Sequence, residues 1–134
     1  MAADPPGDDR VPFGRDGEAH AEAALVRAGL RIVARRYRTR RGEIDLVAEE
    51  GDVLVFAEVK ARRSERYGSP GEAVGWRKRR RIAGTALVYL AERALLDRVC
   101  RFDVVEILQE PGGEVRVTHH RDAFRIEPPG RRRR

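Results

Sequence analysis

The sequence predicts a single α/β domain, with helices packed on a central sheet. Two runs rich in Val, Ile and Leu flank a four-residue polar break at residues 49–52, which is the pattern of a β-hairpin. Apolar residues at helical spacing lie before and after this hairpin. A third apolar run at residues 101–108 completes a strand–helix–strand unit. Because a chain of 134 residues has room for one modest core, we expect one domain.

The N-terminal third predicts a helix and a strand. Residues 1–12 are rich in Pro and Asp, so we expect them to be disordered. The first helix is predicted over residues 13–28, where Ala21 and Leu25 share a face and Gly29 provides a stop. Residues 30–34 form a strand that leads into an arginine-rich stretch ending at residue 41. These arginines would bind phosphates or form a solvated sheet edge, and the sequence leaves both open.

The hairpin predicts its own register. Gly51 and Asp52 suit a two-residue turn with glycine in the first central position. Counting outward from this turn places Asp45 directly opposite Glu58. Side chains alternate between the faces of a strand, so Asp45, Glu58 and Lys60 would project from one face.

This arrangement of charges points to a metal site. Two carboxylates about 5 Å apart at Cβ repel each other unless a proton or a cation lies between them. Mg²⁺ suits both because it takes oxygen ligands and keeps several waters, and Lys60 beside it would orient an attacking water. The alternative is a strand end with ordinary surface charges. Apolar neighbours on both faces indicate a buried central strand, where unpaired charge is costly, and they favour the metal site.

Two motifs also resemble a known family. Gly42-Glu43-Ile44-Asp45 and Phe56-Ala57-Glu58-Val59-Lys60-Ala61-Arg62 resemble the uncharacterised bacterial YraN family. That family belongs with the PD-(D/E)xK, or restriction-endonuclease-like, nucleases and is similar to archaeal Holliday-junction resolvases. The resemblance extends over residues 13–108 and includes Gly17-Glu18, Lys78 and the run at residues 101–105. It differs at Ala57, where such families usually have Val, on the face opposite the acids.

The resemblance implies a fold and a set of site residues. The fold would be restriction-endonuclease-like, with a central mixed sheet of four or five strands and flanking helices. Asp45 and Glu58 would bind Mg²⁺, with Mn²⁺ as a substitute, together with the backbone carbonyl of Val59. Glu18 would complete the metal site, an assignment that depends mostly on the resemblance because charges on helix surfaces are usually solvated. Lys60 would position the attacking water.

A second helix is predicted to carry a further lysine. Ser69-Pro70-Gly71-Glu72 is typical of a helix start, so the helix should run from Pro70 to Leu95 or Leu96. Lys78 lies on its apolar stripe and would point toward the two acids, unless its amine snorkels to water. Five basic residues are predicted to contact nucleic-acid phosphates: Lys78, Arg62, Arg63, Arg77 and Arg81.

The C-terminal part predicts little chemistry. A turn at residues 111–113 leads to a short edge strand at residues 114–118. His119 and His120 are poor metal ligands as a pair, because adjacent residues on a strand face opposite sides. The domain should end near residue 126. Residues 127–134 form a flexible basic tail that would add non-specific affinity for nucleic acid.

Composition limits the classes of function. The formal net charge is +6, of which Arg131 to Arg134 contribute four charges, so the body is moderately basic and suited to polyanions such as DNA. Among 28 basic residues only Lys60 and Lys78 are lysine, the type whose compact ammonium can act beside a reacting water. We expect no membrane span or secretory signal. The single Cys100 excludes an internal disulfide and fits a cytoplasmic location.

The sequence therefore predicts a metal-dependent endonuclease of DNA, with branched or repair intermediates as candidate substrates. A non-catalytic nucleic-acid-binding module is the alternative. A third class is a small interaction protein whose arginines recognise acidic partners. Resolvases cut symmetric junctions as dimers, but the sequence shows no obvious apolar patch from which to argue a homodimer.

Overall fold

The computed structural model describes residues 10–62 and 75–125, with side chains from residue 17 onward. In chain order the elements are α1 (Arg10–Arg27), β1 (Arg31–Arg38), β2 (Glu43–Glu50), β3 (Val53–Arg62), α2 (Trp76–Glu92), β4 (Cys100–Gln109) and β5 (Val115–Phe124). The five strands form one sheet in the order β1-β2-β3-β4-β5. Only β3 and β4 pair in parallel, because α2 connects them, and the other pairs are antiparallel. The predicted restriction-endonuclease-like α/β domain is confirmed.

The central hairpin has the predicted register. Gly51 adopts a positive φ of 59° at the first central position of the turn, a conformation that glycine adopts without steric cost. Pairing between β2 and β3 then runs from Glu50 opposite Val53 to Leu46 opposite Ala57. Asp45 and Glu58 are the next residues on each strand, at the end of the hairpin farthest from the turn.

The sheet is covered on both faces, and strand alternation divides the core into two clusters. Leu46 and Ala57 point toward α1, whereas Val47 and Phe56 point toward α2. The cluster on the α1 side contains Ala21, Leu25, Leu30, Leu46, Ala48, Val55, Ala57, Val105 and Ile107. The cluster on the α2 side contains Ile44, Val47, Leu54, Phe56, Ile82, Ala86, Tyr89, Leu90, Val104 and Phe124. Burial on both faces explains why β2 and β3 are almost continuously apolar.

The second helix is shorter than predicted at both ends. It begins at Trp76, because Gly75 has extended backbone angles of φ −66° and ψ 165°, so it is not continuous from Pro70. The motif at residues 69–72 lies outside the described residues. The helix ends at Glu92 rather than at Leu95 or Leu96, because Ala94 takes a left-handed conformation. The Leu95 N–H then bonds to the Leu90 carbonyl at 2.8 Å, and Leu95 packs against the core.

Two strands are longer than predicted. β1 continues through the arginines to Arg38, because tertiary pairing with β2 includes Arg35 opposite Leu46. β5 runs over Val115–Phe124 rather than ending at residue 118, because it pairs with β4 as far as Phe102 opposite Phe124.

α1 begins at Arg10, inside the segment predicted to be disordered. The rest of that segment, residues 63–74 and the predicted basic tail lie outside the described residues. Within the described residues, no helix is long and apolar enough to cross a membrane.

A buried aspartate holds β4 to β5. Asp103 is fully buried, and its carboxylate accepts hydrogen bonds from Arg101 Nε at 2.9 Å, His119 Nε2 at 2.6 Å and the Asp122 N–H at 2.8 Å. Burial by itself would raise the pKa of Asp103, but the hydrogen bonds from these three donors together hold that pKa below its usual value. The network lies where the β4–β5 register shifts, so it fixes the bulge between these strands.

We predict that Asp103→Ala destabilises the fold by about 3–5 kcal/mol, because it leaves the largely buried Arg101 and His119 without their carboxylate. Urea unfolding at pH 7 measures the change. Asp52→Ala, at the exposed hairpin turn, serves as the control and should change stability by less than about 0.5 kcal/mol. Equal effects of the two substitutions would contradict a structural role for the Asp103 network.

Candidate functional site

A small cavity opens at the end of the hairpin farthest from its turn. Its volume is about 170 Å³, and it is lined by residues of β2, β3 and α2 together with Gly42. The charged residues that line it are Glu43, Asp45, Glu58, Lys78 and Arg81. The fold therefore brings together the two predicted metal-binding acids and two of the predicted phosphate-binding residues.

Asp45 and Glu58 form a pair of neighbouring carboxylates, of which Asp45 is partly buried. Asp45 Oδ2 accepts a hydrogen bond from the Val59 N–H at 2.8 Å. Asp45 lies one residue and Val59 two residues beyond the last pair of β2 and β3. Glu58 is buried, with 7% of its surface exposed. Burial, and then repulsion from Glu58, raise the pKa of Asp45 to about 7, and the Val59 N–H only partly opposes this shift. The hairpin therefore holds two acids where a second negative charge is costly without a cation.

Lys78 supplies a positive charge to this pair from α2. Its Nζ lies 2.5 Å from Glu58 Oε2. The apolar stripe of α2 places Ile82 and Ala86 on the same face, so Lys78 points to the sheet as predicted. In this structure the lysine neutralises Glu58, whereas among the described residues the donor to the Asp45 carboxylate is the neutral Val59 N–H.

Glu18 reaches the site from α1, on the other side of the sheet. Its carboxylate contributes to the raised pKa of Asp45, which places the two acids in electrostatic reach. Glu18 is bound by Arg36, whose Nε lies 2.9 Å from Glu18 Oε1. Glu18 chiefly, with smaller contributions from Glu43 and Asp45, raises the pKa of Arg36. Glu18, the acid predicted to complete the metal site, is thus held by an arginine of β1.

Lys60 lies two residues beyond Glu58 on the same face of β3, outside the lining of the cavity. It is the register partner of Glu106 on β4. Glu106 is engaged by two other groups, with Arg62 Nε 2.6 Å from Oε2 and His120 Nε2 3.4 Å from Oε1. Within the described residues Lys60 makes no ion pair.

The predicted phosphate contacts differ in their surroundings. Arg62 is largely buried against Glu106, so this carboxylate already takes up part of its hydrogen-bonding capacity. Arg63 lies outside the described residues. Arg77 lies over the exposed ring of Trp76, 5.9 Å from its centroid, and Arg81 lines the cavity one helical turn later. Of the described arginines in this set, Arg77 and Arg81 are the better placed to meet a substrate backbone.

The donor set fits a hard divalent cation. Asp45 and Glu58 offer carboxylate oxygens, and burial of the pair creates a need for positive charge that oxygen-preferring Mg²⁺ would meet. Among residues 17–62 and 75–125 no three His, Cys, Asp or Glu side chains converge as a metal-binding group. The fit therefore rests on two side chains and the predicted Val59 carbonyl, with Glu18 engaged by Arg36.

Sequence reasoning missed Arg36, Glu106 and Glu43 at this site. Arg36 is one of many arginines in the sequence, and no local sequence pattern predicts its left-handed backbone, with φ 51°. Glu106 is a charged residue within the apolar run of β4, and this contrast is the signal by which the sequence identifies it as unusual. Glu43 lies in the motif itself and lines the cavity, while its carboxylate lies 3.5 Å from Arg38.

Comparison with a solved structure gives only a weak likeness. The structure of Pyrococcus furiosus SfsA in complex with Ca²⁺ is similar with a TM-score of 0.38 and 14% sequence identity. The alignment covers 88% of this chain and 66% of SfsA. A likeness at this level supports no conclusion about activity.

Comparison of sequences identifies a family. The UPF0102 protein STH1475 of Symbiobacterium thermophilum is 50% identical over 111 residues, which cover 83% of this chain and 94% of that protein. A UPF0102 protein of Anaeromyxobacter dehalogenans is 47% identical over 118 residues, covering 88% of this chain and 87% of the relative. The sequence model of the "Uncharacterised protein family UPF0102" matches residues 17–107, which include every described site residue named above except His120. The chain therefore belongs to the uncharacterised protein family UPF0102.

Proposed function

We propose that this protein is a metal-dependent nuclease that hydrolyses phosphodiester bonds in DNA. The observation that carries the proposal is the pair of carboxylates formed by the partly buried Asp45 and the buried Glu58, in which the pKa of Asp45 is raised to about 7. Acids held under this electrostatic strain are typical of functional sites, where a substrate or a cation relieves the strain. The order of motifs that resembles the PD-(D/E)xK nucleases supports the same reaction.

The residues take the following roles in the proposal. Asp45 and Glu58, with the Val59 carbonyl, would hold Mg²⁺ or Mn²⁺. When bound, such an ion supplies charge neutralisation at the phosphate and activation of the nucleophile. Glu18 would join these metal ligands once Arg36 releases its carboxylate.

The basic residues orient the reactants. Lys60 projects from the face that carries Glu58, and its amine would orient the attacking water by hydrogen bonding. Glu106 does not compete for this amine, because Arg62 and His120 engage its two oxygens. Lys78, Arg77 and Arg81 lie on α2 next to the cavity and would bind the phosphate on either side of the scissile bond. The substrate would thus run along the N-terminal half of α2.

A non-catalytic nucleic-acid-binding module is the second candidate, and one contact favours it. Lys78 lies 2.5 Å from Glu58 and neutralises it without any metal. A protein that uses this ion pair only to fix α2 on the sheet would retain the basic surface of the helix and would bind DNA without cutting it. The two candidates differ in whether Glu58 is needed for turnover.

Cleavage assays test the proposal. The protein is incubated with labelled junction, flap and duplex DNA in Mg²⁺, Mn²⁺ or EDTA. We expect metal-dependent cleavage that falls about 100-fold or more in Glu58→Gln, which removes a charged metal ligand, and in Lys60→Met, which removes the amine. Glu49→Gln is the matched control on the same hairpin, where Glu49 pairs with Arg98 at 3.1 Å, and it should cleave at the wild-type rate. DNA binding with no cleavage, unchanged in Asp45→Ala, would favour the second candidate.

The electrostatics of the pair give a prediction about stability. The folded-state pKa of Asp45 lies near 7, above the ordinary value of 3.8. Once the pH is high enough for Asp45 to ionise in the unfolded chain, this residue therefore lowers the free energy of unfolding. We expect Asp45→Asn to gain about 2–4 kcal/mol at pH 8 without divalent cations. The gain should shrink as pH falls from 7 to 4 and vanish below pH 4, where aspartate is protonated in both states. Unfolding in urea across this pH range measures it.

The same experiment has a control and a metal arm. Asp52→Asn, at the exposed turn of the same hairpin, should not change stability with pH in this way. Adding Mn²⁺ at pH 8 should stabilise the wild type more than Asp45→Asn, because the ion binds only the charged pair. Equal stability of the wild type and Asp45→Asn at pH 8 in EDTA would contradict a strained acid pair.

A further inference from the structure

Consecutive arginines of β1 both reach toward α1. Arg35 Nε lies 3.0 Å from Glu22 Oε1, and Arg36 Nε lies 2.9 Å from Glu18 Oε1. Adjacent residues of a regular strand face opposite sides of the sheet, so one of the two should point toward α2. Arg36 reaches α1 because its backbone leaves the β conformation, with φ 51°. For an arginine this left-handed conformation is uncommon and points to a local requirement.

The location of Arg36 suggests what that requirement is. The register of β1 and β2 pairs Arg35 with Leu46 and Tyr37 with Ile44, so Arg36 stands opposite Asp45. Its guanidinium binds Glu18, the acid of α1 that lies within electrostatic reach of Asp45. Arg35 binds Glu22, one turn further along α1. The two ion pairs are alike in chemistry and neither lines the cavity, but only Arg36 stands opposite Asp45 in the strand register.

Lys78 and Arg36 together compensate the acids from two directions. Lys78 binds Glu58 from α2, and Arg36 binds Glu18 from β1. Both basic side chains are exposed enough to move without unpacking the core, with 38% of the Lys78 side chain and 49% of the Arg36 side chain accessible. A divalent cation that takes Glu18 as a ligand must displace the guanidinium, because the two positive charges would compete for one carboxylate.

We infer that Arg36 is an exchangeable counter-ion of Glu18, which holds this acid in the metal-free protein and competes with the divalent cation for it. The inference rests on the proposed function, because it assumes that the acids bind a metal. Arg36 then sets the concentration of divalent cation at which the site fills. It also keeps Glu18 from adding an uncompensated negative charge beside Asp45 when no metal is bound.

Calorimetric titration of the metal-free protein with Mn²⁺ at pH 8 and fixed low ionic strength tests the inference. Arg36→Gln removes the competing charge and should bind Mn²⁺ about two- to fivefold more tightly than the wild type, the range expected for a partly exposed ion pair. Arg36→Gly is a second variant with the same expected effect, and glycine suits the positive φ at this position. Thermal unfolding confirms that each variant is folded.

Arg35→Gln is the matched control. It removes the same charge from the neighbouring residue and breaks an equivalent ion pair with α1, so any effect of net charge is shared. We expect its Mn²⁺ affinity to remain close to that of the wild type. Glu18→Gln should weaken Mn²⁺ binding and, combined with Arg36→Gln, should remove the gain, because the competition acts through this carboxylate.

The outcomes separate the inference from the proposed function. If the wild type binds Mn²⁺ but Arg36→Gln and Arg36→Gly bind no more tightly than Arg35→Gln, the inference fails and the metal site stands. An unchanged affinity in Glu18→Gln also overturns it. Binding detected in Arg36→Gln but not in the wild type supports it. If no variant binds Mn²⁺ at millimolar concentration, both the inference and the metal-dependent function fail.

Discussion

The structure around the candidate site depends on one electrostatic constraint, the close approach of a buried and a partly buried carboxylate at the end of a β-hairpin. The hairpin fixes Asp45 next to Glu58 because its turn and its alternating apolar residues allow one register. Glu58 is buried, and Asp45 is partly buried and bonded to the Val59 N–H, so neither acid is fully solvated. The elements around the hairpin therefore bring positive charge to it, Lys78 from α2 and Arg36 from β1.

The distribution of basic residues follows from this constraint. Many arginines of the described structure stabilise carboxylates elsewhere, such as Arg98 with Glu49 and Arg101 with Asp103. Each such pair contributes nothing to the net charge of +6, of which Arg131 to Arg134 supply four charges, so the rest of the chain is only moderately basic. Lysine occurs only at residues 60 and 78, of which Lys78 binds Glu58 and Lys60 lies two residues beyond Glu58 on β3. An ammonium can approach a carboxylate or a water as a compact point charge, whereas a guanidinium forms a planar, permanently charged fork.

The sequence predicted what local pattern controls and missed what tertiary contacts decide. The hairpin register and the inward direction of Lys78 follow from a turn motif and from a helical period, so both are confirmed. The start of α2 at Trp76 depends on the extended Gly75, and the full length of β5 depends on its pairing with β4. The contact of Arg36 with Glu18 joins residues 18 apart in the chain through a single unusual φ angle. No periodicity encodes such an angle, because it is set by what the side chain meets in the folded protein.

Two aspartates of the same sheet differ in how completely the fold compensates their charge. Asp103 accepts hydrogen bonds from Arg101, His119 and a backbone N–H, which outweigh burial and keep its pKa low. Asp45 has one N–H donor and an acidic neighbour, so burial prevails and its pKa rises to about 7. A fold that can compensate one aspartate so completely has the means to compensate the other. Among the described residues Asp45 is left under-compensated, and the proposed cation site rests on this difference between the two aspartates.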